Sequence, residues 1–263
     1  PMSRGLGDVY KRQPQTMRRV AVTDGMAEEA VRKLEQAGCE VVQGFIEHDV
    51  LDAGGLAEFD AIIVRSATKI TEQMLIKSQP RLKVVARAGV GVDNIDIPAA
   101  STLGLPVVNA PRASTQSVVE LTIGHLLGSL RFIPRADRSL RLGEWAKKEL
   151  KGTELFGKRL GLIGFGRIAQ GVAKVAQAFG MEVHSYDPYL PSSVARKANV
   201  TMHKNVDNLF KTCTHISIHC NLTDETHHLI NTKRIDMMPG VDPFNLKCGN
   251  HIVNCARGGL SLI

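Results

Sequence analysis

Three stretches of this sequence hold residue types whose spacing could do chemistry. The first is GLIGFGRIAQG, where Gly164-x-Gly166-x-x-Ala169 joins an apolar run to an amphipathic one. At a strand-to-helix junction, Gly164 permits a tight turn and Gly166 leaves the backbone bare. Small Ala169 lets the helix close on the strand. The helix start offers unpaired N–H groups and the positive end of its dipole, which together attract phosphate. Asp187 follows 21 residues after Gly166, at the end of VHSYDP. A carboxylate there accepts hydrogen bonds from ribose hydroxyls and repels a 2′-phosphate, so the pair implies NAD rather than NADP. A tight turn followed by an ordinary loop aspartate is the bland alternative.

The second stretch is HIVNCARGG, in which a short apolar run delivers one arginine, Arg257, to a Gly-Gly turn. A guanidinium is always charged and offers a planar fork of donors. It can hold a carboxylate and stabilise charge developing on a neighbouring oxygen. The third stretch is a pair, RSATKIT and RAGVGV, each with an arginine at the end of an apolar run, Arg65 and Arg87. Backbone N–H groups at Gly89, Val90 and Gly91 can hold a carboxylate without a side chain. Two arginines nearby suit a further dianionic group such as phosphate, which arginine binds bidentately. The alternatives are a surface arginine before a turn for Arg257, and pairing with acidic neighbours for the other two.

These groups need a scaffold, and the pattern supplies one. RRVAVTDG, CEVVQG, DAIIVRSA, LKVVARAG and LPVVNA read as strands. MAEEAVRKLEQAG, ITEQMLIKS and IDIPAASTLG between them read as helices. Runs apolar throughout, joined by helices, predict a parallel sheet covered on both faces. SVVELTIGHLLGSLRFI (117–133) predicts one long helix, with Gly124 and Gly128 suited to close packing, and IPRADRSLRLGEW a second. The alternation then restarts with RLGLIGFG, MEVHSYDP, VTMHK, HISIHCN and HIVNCARG. The expected fold class is α/β, with two Rossmann-like, doubly wound parallel-sheet domains. Ligands of such sheets bind beyond the carboxyl ends of the strands, where Asp187, Cys220 and Arg257 all fall.

Composition narrows the functions. Hydrophobic residues make up 43% of the 263 and charged residues 22%, enough for real cores and unlike a disordered chain. No apolar run approaches the roughly 18–20 residues that span a membrane. The net charge is +7. Residues 1–16 lead into no pattern, resemble translated adapter sequence and are expected to be a non-native leader. They hold Arg4, Lys11 and Arg12 against Asp8, so +5 remains without them. The cations are scattered, with no basic block and no aromatic interleaving, which argues against nucleic acid and for a small anionic substrate. The 5 cysteines show no CxxC spacing, and His215 and His219, four apart, fall in a run that reads as a strand, where they do not converge, so no metal is expected. An odd number of thiols suggests a reducing, cytoplasmic compartment.

Motifs in order along the chain now carry a resemblance. RSATKIT, RAGVGVDNID, VVNAP, GEWAKKELKGTEL, GFGRIA, YDP, LTDETHHLIN and NCARGG resemble the D-isomer-specific 2-hydroxyacid dehydrogenases from about Met17 to Leu260. The resemblance implies a flavodoxin-like substrate domain over 17–112 and an NAD-binding Rossmann domain over 113–263. It implies that Arg257 is the catalytic, substrate-binding arginine. It places Arg167, Ile168 and Asp187 on NAD, with Val90, Cys220 and Cys255 lining the nucleotide site. It turns Arg65, Arg87 and the Gly89–Gly91 turn, with Asn109 of VVNAP, toward substrate. The implied reaction is oxidation of 3-phospho-D-glycerate by hydride transfer to NAD in serine synthesis, by a homodimer or homotetramer. A glyoxylate or hydroxypyruvate reductase is the enzymatic alternative, and an NAD-sensing corepressor the binding alternative. Three departures stand out: Cys220-Asn221 replaces the usual Thr-Pro, VDPFNLKCGN intervenes between MMPG and HIVN, and Ser-Leu-Ile follows Leu260. The family's catalytic glutamate and histidine are expected in a later segment, so the second domain is expected to be truncated.

Overall fold

The computed structural model describes residues 17–44 and 46–262; the expected leader lies outside the described residues. The chain divides into two compact units between Pro111 and Arg112.

In the first unit the apolar runs form Arg18–Val22 (β1), Cys39–Gln43 (β2), Ala61–Val64 (β3), Val84–Arg87 (β4) and Val107–Asn109 (β5). Glu28–Gln36 (α1), His48–Asp52 (α2), Glu72–Lys77 (α3) and Ile97–Thr102 (α4) connect them. The strands are parallel, in the order β2-β1-β3-β4-β5. That is the flavodoxin-like order, with its reversal between β1 and β3. Local chemistry sets the helix ends. α1 carries Glu28 and Glu29 in its first turn and gives way to Gly38 at φ +84°, a left-handed stop that glycine tolerates. Thr71 caps α3 through the Met74 N–H, and Asp96 caps α4 through the Ala99 N–H. Leu51, Leu56, Ile62, Val64, Met74, Leu75 and Val85 fill the core.

The second unit opens with Thr115–Leu130 (α5) and Ile133–Arg141 (α6). The long helix predicted to run to 133 therefore stops at Leu130. Phe132 takes a left-handed φ of +53° and Pro134 enters the first turn of α6, which breaks the helical run. The second helix is also shorter than predicted, because Gly143 at φ +80° follows it. The strands are Arg159–Ile163 (β6), Glu182–Tyr186 (β7), Thr201–Met202 (β8), His215–Ile218 (β9) and His251–Asn254 (β10). Arg167–Ala178 (α7), Ser192–Lys197 (α8), Val206–Thr212 (α9) and Thr232–Ile235 (α10) accompany them. Their order is β10-β9-β6-β7-β8, all parallel. Counted from β6 this is the Rossmann order, reversing between β6 and β9.

Helix α5 packs on α7 through Val119, Ile123, Leu126 and Leu130. The close approach comes from Gly171, where a Cβ would lie 2.7 Å from the Val119 side chain. Gly124, expected to serve that purpose, faces open space. The segment intervening before β10 is ordered by one side chain. Asp242, its carboxylate buried, accepts hydrogen bonds from the Phe244 and Leu246 N–H groups and pairs with Lys158 at 2.9 Å.

Candidate functional site

The second unit builds its site where β6, at the reversal, ends between β7 and β9. Gly164 holds φ +81°, and a Cβ there would lie 3.0 Å from the backbone of His219 and Cys220. The bare α-carbon lets β9 run close beside the turn. Gly164 N–H donates to Tyr186 O and His219 N–H to Ile163 O, so the turn is clamped from both sides. Gly166 differs in kind. It caps α7 at φ −71°, and a Cβ there would meet nothing within 4 Å. Space, and not strain, is what this glycine provides. Arg167 and Ile168 begin α7, and buried Ala169 packs against the strand core. A helix start presents N–H groups beyond the reach of the helix's own carbonyls, and α7 starts beside that space.

Asp187 stands at the end of β7. Its Oδ2 accepts the Phe165 N–H at 2.8 Å and its Oδ1 accepts the Tyr189 N–H at 2.9 Å. The carboxylate thus fixes the glycine turn as well as presenting charge beside it. Each oxygen keeps a lone pair for a further donor. Open space at Gly166, helix N–H groups and a lashed carboxylate fit the pyrophosphate and ribose of NAD.

Cys220 and Cys255 follow β9 and β10, both partly buried. Burial raises the Cys220 thiol above its ordinary pKa, with Asp187 adding to the effect. Arg257 lies three residues past β10, half-buried. Asn254 shapes its loop by donating to Arg257 O at 2.9 Å and accepting the Ala256 N–H at 3.0 Å. A second stretch braces it from outside: His228 N–H donates to Gly259 O and Ile230 N–H to Leu260 O, both at 2.9 Å. Sequence reading passed over Asn254, whose only signal is its place before the arginine loop.

Two histidines near these strands are turned away from this end. His219 bonds Ser217 at 2.9 Å, and burial pulls its pKa down to about 4. His251 begins β10, at the opposite edge, and bonds Ser129 at 2.9 Å.

The first unit brings its proposed residues to the carboxyl ends of three adjacent strands. Arg65 follows β3, Arg87 ends β4 and Asn109 ends β5, with Arg87 paired to Asn109 in register. Asp24, after β1, receives the Arg65 N–H at 2.6 Å and the Thr68 N–H at 3.1 Å. Burial would raise the Asp24 carboxyl, but the hydrogen bonds from Thr68 and Arg65 outweigh it and hold its pKa low. Asn94 donates to Arg65 O and Thr68 O from the other side. The Gly89–Gly91 turn is tied down by Asn109, which donates to Val90 O at 2.6 Å. Arg87 folds its guanidinium over Gly89, where a Cβ would overlap it at 1.3 Å. Asp24 and Asn94 were not singled out from sequence, because their partners are 26 to 44 residues away.

The chain belongs to the D-isomer specific 2-hydroxyacid dehydrogenases: the model of that family's NAD binding domain matches residues 123–261. Among its relatives, D-3-phosphoglycerate dehydrogenase of Methanocaldococcus jannaschii is 45% identical over 93% of this chain and 45% of its own length. Hydroxypyruvate reductase of Thermotoga maritima is also 45% identical, over 92% of this chain and 74% of its own. The fold matches a solved D-lactate dehydrogenase of Aquifex aeolicus, described as complexed with NAD and lactic acid. There the TM-score is 0.79 with 29% identity, over 92% of this chain and 70% of that one. This chain spans less than half the length of several phosphoglycerate dehydrogenases it matches. Among the described residues no helix is long and apolar enough to cross a membrane.

Proposed function

We propose that the protein oxidises 3-phospho-D-glycerate to 3-phosphohydroxypyruvate with NAD, as a cytoplasmic step of serine synthesis. In this reading the second unit holds NAD, with pyrophosphate on the Gly164–Gly166 turn and α7, and ribose on Asp187. Arg167, Ile168, Cys220, Cys255 and Val90 complete the nucleotide contacts. When bound, NAD supplies the nicotinamide that accepts hydride from C2 of the substrate. Arg257 presents its fork to the substrate carboxylate and stabilises negative charge on the C2 oxygen as its proton passes to a histidine base held by a glutamate, as in the family. Arg65 and Arg87 receive the phosphate, and the N–H groups of Gly89, Val90 and Gly91 hold the carboxylate end. The five thiols, all free, support a reducing compartment. Exposed Leu140, Leu142 and Trp145 on and after α6 support a homodimer or homotetramer, because apolar side chains so grouped favour contact with a second subunit.

The observation that carries the phosphate is the pair of arginines at the ends of neighbouring strands β3 and β4, with Asp24 and Asn94 fixing the Arg65 backbone. Titration calorimetry with NAD present tests it. Arg65→Ala or Arg87→Ala removes a charge-assisted contact worth roughly 1.5–3 kcal/mol. Each is expected to weaken 3-phosphoglycerate about tenfold or more and D-glycerate little. Equal losses for both acids would refute the phosphate assignment. They would favour the second reading, a hydroxypyruvate reductase, which the Thermotoga relative's similarity supports.

A further inference from the structure

Asp187 is not the only carboxylate at the β6 turn. Because β7 and β9 flank β6, the loops that follow them rise on either side of Gly164–Gly166. A hydrogen bond joins those loops: the Tyr189 hydroxyl donates to Glu225 Oε2 at 3.1 Å. Neighbouring strands are about 4.8 Å apart, so a link between the flanking loops spans two strand spacings across the end of β6.

Both ends of this link are held. Tyr189 N–H is fixed on Asp187 Oδ1. Glu225 sits in a turn built by Thr226, whose hydroxyl accepts the Thr223 N–H at 2.8 Å and donates to Asn221 O at 2.7 Å. The His227 N–H adds a bond to Thr223 O. Tyr189 is 82% exposed, so no packing demand explains where it lies. The bond to Glu225 and the charge of Glu225 are the main causes that raise the Tyr189 pKa, with desolvation, Tyr186 and, least, Asp187 adding to them. Both carboxylates are thus felt at one phenol.

We propose that Glu225, held by Tyr189 across the glycine turn, is a second determinant that excludes dinucleotides bearing a 2′-phosphate. The inference rests on the reading of the turn and Asp187 as the NAD site. Asp187 has committed one lone pair of each oxygen to the backbone. Glu225 brings a further negative charge to the same end of the sheet, and a 2′-phosphate would meet the field of both. A neutral ribose would not. At separations of several ångströms in a wet site, one charge acting on a dianion changes an equilibrium roughly three- to tenfold, less at high salt.

The test is equilibrium titration of the purified chain with NAD and with NADP, for the unmodified protein, Glu225→Gln and Tyr189→Phe. Glu225→Gln keeps an acceptor for the phenol and removes only the charge. The ratio of the NADP to the NAD dissociation constant is expected to fall three- to tenfold in Glu225→Gln and by a smaller factor in Tyr189→Phe. The fall should shrink as salt is raised. A ratio unchanged by Glu225→Gln, while the unmodified protein binds NAD saturably, overturns the inference alone. Failure of the unmodified protein to bind NAD overturns the reading of the turn itself.

Discussion

The two glycines of the β6 turn serve different ends, and substituting each with alanine separates them. Gly164→Ala puts a side chain at φ +81°, which is worth roughly 1–2 kcal/mol against the fold. The new Cβ would also stand 3.0 Å from the His219 and Cys220 backbone. Backbone cannot rotate aside as a side chain can, so the end of β9 must shift, at roughly 1–3 kcal/mol. The sum is about 2–5 kcal/mol, or a melting temperature lower by roughly 4–20 °C for a unit of this size. Gly166→Ala meets no neighbour within 4 Å and keeps an ordinary φ of −71°. Its stability loss is that of a poorer N-cap, about 1 kcal/mol. Its Cβ, however, fills the space over the helix N–H groups where the pyrophosphate must come close. Gly166→Ala should therefore melt within a few degrees of the parent and bind NAD at least ~10-fold more weakly, a loss of ~1.4 kcal/mol or more. Differential scanning calorimetry and NAD titration on both variants decide the matter. A Gly166→Ala protein as destabilised as Gly164→Ala, or one that binds NAD like the parent, would refute the reasoning.

Two further outcomes follow from named contacts. Asp187→Ala removes the acceptor of the Phe165 and Tyr189 N–H groups, so fluorescence titration should show weaker NAD binding and a narrower gap between NAD and NADP. An unchanged gap would place the ribose elsewhere. His215 is fully buried against the His251 ring, and burial pulls its pKa down to about 3 from an ordinary 6.5. The unfolded chain takes up this proton as pH falls below 6.5 and the folded chain does not, so stability is present above 6.5 and is lost as pH falls toward 3. The slope approaches ~1.4 kcal/mol per pH unit for this one group. His215→Phe should flatten the acid limb of a urea-denaturation series by about one proton, and an unaltered slope would remove His215 as its cause.

What the sequence made legible was what depends on neighbours in the chain. The glycine turn needs only a strand, three small residues and a helix in succession, and Asp187 only the end of the next strand. The strands of both sheets showed because their apolar runs are covered on both faces. Helices α2, α8, α9 and α10, four to seven residues long, were not read; the equally short α3 and α4 were read within the longer stretches ITEQMLIKS and IDIPAASTLG. The break between α5 and α6 was read but placed at 133, because FIP continues the apolar pattern past Leu130, where the helix ends. Asp24 on the Arg65 loop and Tyr189 on Glu225 were invisible for another reason. They join residues 41 and 36 positions apart, and only the strand order brings them together.

The central claim is that NAD lies across the carboxyl ends of β6, β7, β9 and β10. Hydrogen exchange read by mass spectrometry, with and without saturating NAD, tests it most directly. The account predicts protection in 163–169, 187–190, 219–226 and 255–259, with the 239–250 segment at the opposite edge unchanged. Protection confined to that far edge, or absent from the Gly164–Ala169 turn while NAD is bound, would contradict it.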